Sequence, residues 1–109
     1  MTFRRDSRNR LSSVSSTGHV DIPETSSDEY SLVCASISAI LQAARLGLEA
    51  YAGVPLEVRQ GSGELVMRWP PQFRQDERTQ AIVETAFLAT RQIAAQYPRH
   101  VRLVEETQA

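Results

Sequence analysis

The chain holds one thiol, Cys34, and two imidazoles, His19 and His100. Cys34 stands just where a thiol becomes reactive. Ser26, Ser27, Asp28 and Glu29 supply N-cap residues, with a capping-box spacing from Ser26 to Glu29. Val33, Ile37, Ile40, Leu41, Ala44, Leu48 and Tyr51 then recur at three- and four-residue intervals. The spacing predicts an amphipathic helix that carries Cys34 in or near its first turn. Unpaired backbone N–H groups and the positive end of the helix dipole stabilise a thiolate there, drawing its pKa from about 8.5 toward neutrality. His19 follows Gly18 at the end of a predicted strand, and a loop can bring its ring to the sulfur as a Cys-His dyad. Donors at the same helix end would hold the oxyanion of an attacked carbonyl, so the chemistry best supported is acyl transfer, with peptide hydrolysis as its natural form. A lone cysteine beside Val33 and Ile37 also fits plain core packing, because free cysteine is among the most buried residue types. His100, between Arg99 and Val101, reads as a solvated surface residue.

Several chemistries are excluded by composition. All twelve basic residues are arginine, which removes Schiff-base and lysine-base mechanisms. One cysteine allows neither an internal disulfide nor a multi-thiolate metal site, and no ligand spacing joins His19, Cys34, Asp21, Glu24, Asp28 and Glu29, so neither metal nor cofactor is expected. A net charge of −1 argues against nucleic acid, although Arg4, Arg5, Arg8 and Arg10 make the N-terminus locally basic. No apolar run has the length of a signal peptide or a membrane span, and a reducing cytoplasm suits the unpaired thiol.

The elements that must position the candidate dyad follow from pattern. Residues 1–109 fit one domain. Residues 2–6 and 11–17 read as two strands joined by Ser7-Arg8-Asn9-Arg10. The cysteine helix should end at Gly53. Leu56 and Val58, then Leu65, Met67 and Trp69, alternate with polar residues on either side of Gly61-Ser62-Gly63, a second hairpin. Asp76 caps a second helix with a stripe from Ile82 through Phe87 to Tyr97, and Val101, Leu103 and Val104 suggest a last strand. The order β-β-α-β-β-α-β implies an α+β (mixed α/β) fold, one mixed sheet with two helices on a face.

The run Gly18-His19-Val20, a polar loop, then Leu32-Val33-Cys34-Ala35-Ser36-Ile37-Ser38-Ala39-Ile40 resembles the signature of the ribosomal-processing cysteine protease family, Prp. Its pattern is Gly-His-Ala, loop, Asp-Ile-Val-Cys-Ala-Ala-Val-Ser-Ala. The order of elements resembles the family's over essentially the whole chain. The resemblance implies a small cytoplasmic homodimeric protease that removes an N-terminal extension from a large-subunit ribosomal protein. It implies Cys34 as nucleophile, His19 as base, Gly18 as the glycine before the histidine, and Ser38 as a supporting serine one turn on. Residues 21–31 would be a mobile loop closing over the peptide. Three departures bear on the site. Ser31 stands where the family has Asp, leaving Asp28 or Asp21 to orient the histidine. Glu29-Tyr30-Ser31 replaces the segment that commonly carries a glycine, in a stretch a few residues longer than usual. Val20 replaces a small alanine. These changes motivate an alternative, a protein that keeps the fold and binds a peptide or the ribosome without efficient cleavage. For the expected dimer, Trp69 and Phe73 offer apolar surface, or else they pad the local core.

Overall fold

The first hairpin closes on Asn9, whose φ of 64° lies in the left-handed region that asparagine tolerates. The Asp6 carboxylate accepts from the Arg8 and Arg10 backbone N–H groups at 2.9 and 3.0 Å and ties the turn shut. The computed structural model describes residues 1–17, 28–61 and 63–108. In chain order its elements are β1 (Thr2–Arg5), β2 (Leu11–Thr17), α1 (Asp28–Leu46), a π-helical turn (Gly47–Tyr51), β3 (Glu57–Gly61), β4 (Glu64–Arg68), a 3₁₀ turn (Pro71–Phe73), α2 (Glu77–Gln96) and β5 (Val104–Thr107). The strands form one mixed sheet in the order β3-β4-β2-β1-β5, antiparallel throughout except for the parallel pair β1–β5. The α+β expectation and its element order therefore hold.

Alternation on the strands decides which sheet face carries the helices. Phe3, Val14, Met67 and Val58 share one line of register across four strands, and Phe3 meets Phe87 of α2 edge to face at 5.2 Å between centroids. From α1, Val33, Ile37, Leu41 and Ala44 are buried over the same layer, with Leu48 from the π-helical turn. Complete burial of such side chains contributes about 1.5–3 kcal/mol each. From α2 come Thr79, Val83, Ala86, Phe87 and Thr90. The helices approach closely at Gly47, where an added Cβ would lie 3.3 Å from Ile82 Cδ1. The cysteine helix gives way to the π-helical turn after Leu46, and Gly53 ends the segment at φ 66°.

Two polar anchors fix the sheet against α2. Arg5, with 9% of its side chain exposed, lies on the helix-facing side and contacts Glu84 of α2 and Glu105 of β5, each at 2.5 Å. Gln80 clasps the Leu11 backbone, accepting from its N–H at 3.3 Å and donating to its carbonyl at 3.1 Å. This clasp sits where the β1–β2 register slips between Arg4 and Arg5.

Several sequence expectations are corrected. The last strand begins at Val104 rather than Val101, because its partner is β1 in parallel, with the Met1 carbonyl accepting from the Val104 N–H. Val101 is buried as a core side chain instead. Residues 28–31 belong to α1 and not to the expected loop, since Asp28 and Glu29 in a first turn are favoured by the helix dipole. Residues 21–27 lie outside the described residues. The helical stretch Asp28–Tyr51, 24 residues at a mean hydropathy of 1.5, does reach the length and apolarity of a membrane span. One of its sides is the core face just described. Trp69 is 1% exposed and donates from Nε1 to the Leu11 carbonyl at 2.7 Å, and Phe73 packs against the core, so both rings serve the interior. Arg4, Arg5 and Arg10 are paired with Glu106, with Glu84 and Glu105, and with Asp6, which removes most of the basic character of the N-terminal strand.

Replacing Arg5 with Met should cost about 1–3 kcal/mol in urea denaturation, because two carboxylates lose a buried partner but can partly rehydrate. The same change at Arg4, on the open sheet face, should cost less than about 1 kcal/mol. At the start of α2 the Asp76 carboxylate accepts from the Thr79 N–H at 3.0 Å and its hydroxyl at 2.9 Å, and these bonds hold its pKa below the ordinary aspartate value. Its stabilising contribution is complete above the unfolded-state pKa of about 3.9 and disappears as pH falls through the lower native value. The urea midpoint, followed downward from about pH 5, should therefore fall less steeply in Asp76→Asn than in the wild type.

Candidate active site

Cys34 lies in the second turn of α1, six residues beyond Asp28, and is 1% exposed. Its rotation follows from Val33 and Ile37, which must face the sheet and carry the intervening thiol inward with them. In this position, six residues into the described part of α1, the Cys34 N–H belongs to the helical ladder. Because the dipole's influence falls off within the first turn, the helix end acts on this sulfur less than the sequence suggests.

One polar neighbour comes from the same helix. Tyr30 stands four residues before Cys34 on α1, the spacing at which helical side chains are neighbours. Interaction with Cys34, and to a lesser degree burial, raises the Tyr30 phenol pKa above its ordinary value. The Tyr30 ring in turn meets the His100 ring edge to face, with centroids 5.5 Å apart. His100 Nε2 lies 3.0 Å from Glu29 Oε2. His100 was expected to be solvated, yet only 19% of its side chain is exposed. The segment after α2 delivers it: the Tyr97 carbonyl accepts from the N–H groups of His100 and Val101 at 3.0 and 3.2 Å, turning the chain past the start of α1. A contact between residues 71 positions apart leaves no local pattern by which sequence reasoning could have found it.

The other sequence candidates divide. Ser38, a turn beyond Cys34, is exposed and lines a cavity of about 60 Å³ between α1 and the β3–β4 hairpin, with Ile37, Leu41 and Leu65 on its apolar side and Gln42 and Gln60 at its polar rim. Ser31 is half-buried and Asp28 is exposed, both in the first turn of α1. Gly18, His19 and Asp21 lie outside the described residues. Among the described residues no group of three or more His, Cys, Asp or Glu side chains is placed to hold a metal ion.

Comparison with known proteins places this arrangement in a lineage. No curated protein matches. Among solved structures, the SMU.848 protein of Streptococcus mutans superposes with a TM-score of 0.87 at 24% identity, covering 98% of this chain and 96% of that one. An essential ribosomal processing protease Prp from S. aureus, in complex with a substrate peptide, gives a TM-score of 0.84 at 18% identity and 95% coverage of both chains. The same protease with a covalently linked product peptide gives 0.81 at 20%, again with 95% of both chains covered. At these identities the likeness is one of fold. The sequence profile of the family described as cysteine protease Prp, however, matches residues 1–102, so this chain belongs to the Prp family of cysteine proteases.

Proposed function

We propose that this protein is a Prp-type cysteine endopeptidase that cleaves an N-terminal extension from a large-subunit ribosomal protein, with Cys34 as nucleophile and His19 as base. The observation that carries the reading is the family match over residues 1–102, a span that includes the chain's single thiol. Peptide is the substrate class to which the S. aureus relative, holding a substrate peptide and a covalently linked product, lends support.

In this mechanism His19 takes the Cys34 proton and the thiolate attacks the scissile carbonyl, forming an S–C bond as the carbonyl electron pair moves onto oxygen. Orphan N–H groups in the first turn of α1 are the donors nearest to hand for that oxyanion. Collapse breaks the C–N bond, with the proton passing from His19 to the departing amine, and water then hydrolyses the thioester and restores the thiol. Because Cys34 is covered in the free protein, peptide binding must open a path to the sulfur. The cavity beside Ser38, one turn along the same helix, is suited to a small substrate side chain. Gly18 gives the backbone freedom before His19, and Asp28 or Asp21 takes the orienting role that Ser31 cannot. A homodimer in the cytoplasm completes the reading by family analogy, with Leu46, Tyr51 and Leu88 as large exposed apolar side chains available to a second copy.

The burial of Cys34 favours a second reading, a peptide- or ribosome-binding protein that keeps the fold without efficient cleavage. Purified protein incubated with a peptide spanning the extension and its junction separates the two. Cys34→Ala and His19→Ala should each abolish cleavage while leaving the circular dichroism spectrum native, with Cys34→Ala costing about 1–2 kcal/mol for the small cavity it leaves. Cleavage by Cys34→Ala would refute the catalytic reading, and tight binding without cleavage by the wild type would establish the second. Ser38→Leu, which fills the mouth of the cavity, should raise KM several-fold with little change in stability, about 0.5 kcal/mol or less for an exposed site.

A further inference from the structure

Away from the thiol, one half-buried arginine has no protein partner. Arg74 follows the 3₁₀ turn, and among the described residues its guanidinium makes neither a hydrogen bond nor an ion pair. Its Nε is covered from solvent with no acceptor in reach. A covered N–H of a permanent cation is costly when nothing accepts from it, and folded proteins seldom leave one so. On neighbouring strands Arg4, Arg5 and Arg59 each meet a carboxylate instead. Arg74 lines a cavity of about 210 Å³ with Ser12, Ser13, Arg68 and Gln108. Ser13 and Arg68 are register partners on β2 and β4, one residue from the core positions Val14 and Met67, so strand alternation turns them to the sheet face away from the helices. Gln108 is brought in by its N–H, which donates to the Arg5 carbonyl at 2.8 Å. Arg68 is exposed, and Glu57, opposite it on β3, forms no ion pair with it. The lining therefore holds two unpaired guanidinium groups, two hydroxyls and an amide, and no carboxylate.

We propose that this cavity binds a phosphate group, free or as a monoester, between the guanidinium groups of Arg68 and Arg74. The site is independent of the catalytic reading of Cys34. Charge selects the ligand class. Two unpaired arginines face the cavity, and a phosphate carrying about −1.5 to −2 at neutral pH matches them where a single carboxylate meets only half of that charge. The planar fork of each guanidinium offers paired N–H donors to phosphate oxygens, and the terminal nitrogens of Arg74 supply them while its Nε stays covered. The buried Ser13 hydroxyl is a further donor, whereas that of Ser12 already donates to the Arg4 carbonyl at 3.1 Å. Size points the same way: a volume of about 210 Å³ lies below the roughly 300 Å³ at which pockets for organic ligands begin, so a phosphoryl head enters and the remainder of a monoester stays outside.

Arginine Nε–H signals of the 15N-labelled full chain report on the site, with that of Arg74 identified by its loss in Arg74→Met. Titration with inorganic phosphate, at an ionic strength held constant with sodium chloride, should move the Arg74 signal saturably. In Arg68→Met half-saturation should need about tenfold more phosphate, the loss expected for a hydrogen bond between charged partners. Arg59→Met, which removes an exposed arginine already paired with Glu64, should titrate like the wild type. Phosphate should also raise the thermal midpoint of the wild type above its value in chloride, and this rise should vanish in Arg74→Met, a variant that gives up no protein hydrogen bond and should fold. O-phosphoserine serves as a second probe: saturable binding identifies a monoester as ligand, and saturation by inorganic phosphate alone identifies the free ion. A shift that grows linearly and equally at Arg59 and Arg74, or a thermal rise that survives in Arg74→Met, would overturn the site. Half-saturation by acetate at the same concentration as phosphate would overturn the assignment to phosphate.

Discussion

Everything near the candidate nucleophile depends on the burial of one helical stripe. Val33, Ile37, Leu41, Ala44 and Leu48 must leave water together, and among the described residues the apolar surface that receives them is the sheet face lined by Phe3, Val14 and Met67 together with α2. That requirement sets the rotation of α1 about its axis. Once the rotation is set, Cys34 is carried under cover, Tyr30 stands one turn before it, and Ser38 emerges one turn after it at the edge of a cavity. None of these three positions can be adjusted alone, because turning the helix would expose the stripe. The same logic accounts for the apolarity of the long helical segment that contains Arg45 and Glu49 toward its end and pairs them at 2.6 Å.

The parallel strand β5 is the second device on which the site depends. A parallel partner for β1 cannot be reached by a tight turn, so the chain leaves α2 and crosses over before pairing Val104 with Thr2. The crossover segment is folded on Tyr97 and runs past the first turn of α1, which is how His100 meets Glu29 and Tyr30. Arg5 reinforces this junction by joining β1, β5 and α2 through Glu105 and Glu84. The edge of the sheet and the neighbourhood of the thiol are therefore mechanically linked. At the start of α1 the polar contact of His100 with Glu29 and its aromatic contact with Tyr30 support each other.

Much was determined by residue order alone. Periodicity of 3.6 in residues 33–51 and of 2 in the hairpin strands, the Asp76 cap, the Gly61-Ser62-Gly63 turn and the Cys34 motif are local signals, each read within about two dozen residues, and they named the elements and the family. Tertiary structure decided the rest. Strand order and the start of β5 follow from the parallel pairing with residues about a hundred positions away. The interior placement of Trp69 follows from an acceptor on β2, and the neutralisation of Arg5 from acids on α2 and β5. His100 looks solvated from its sequence neighbours for the same reason, since its partners are set by packing between distant segments.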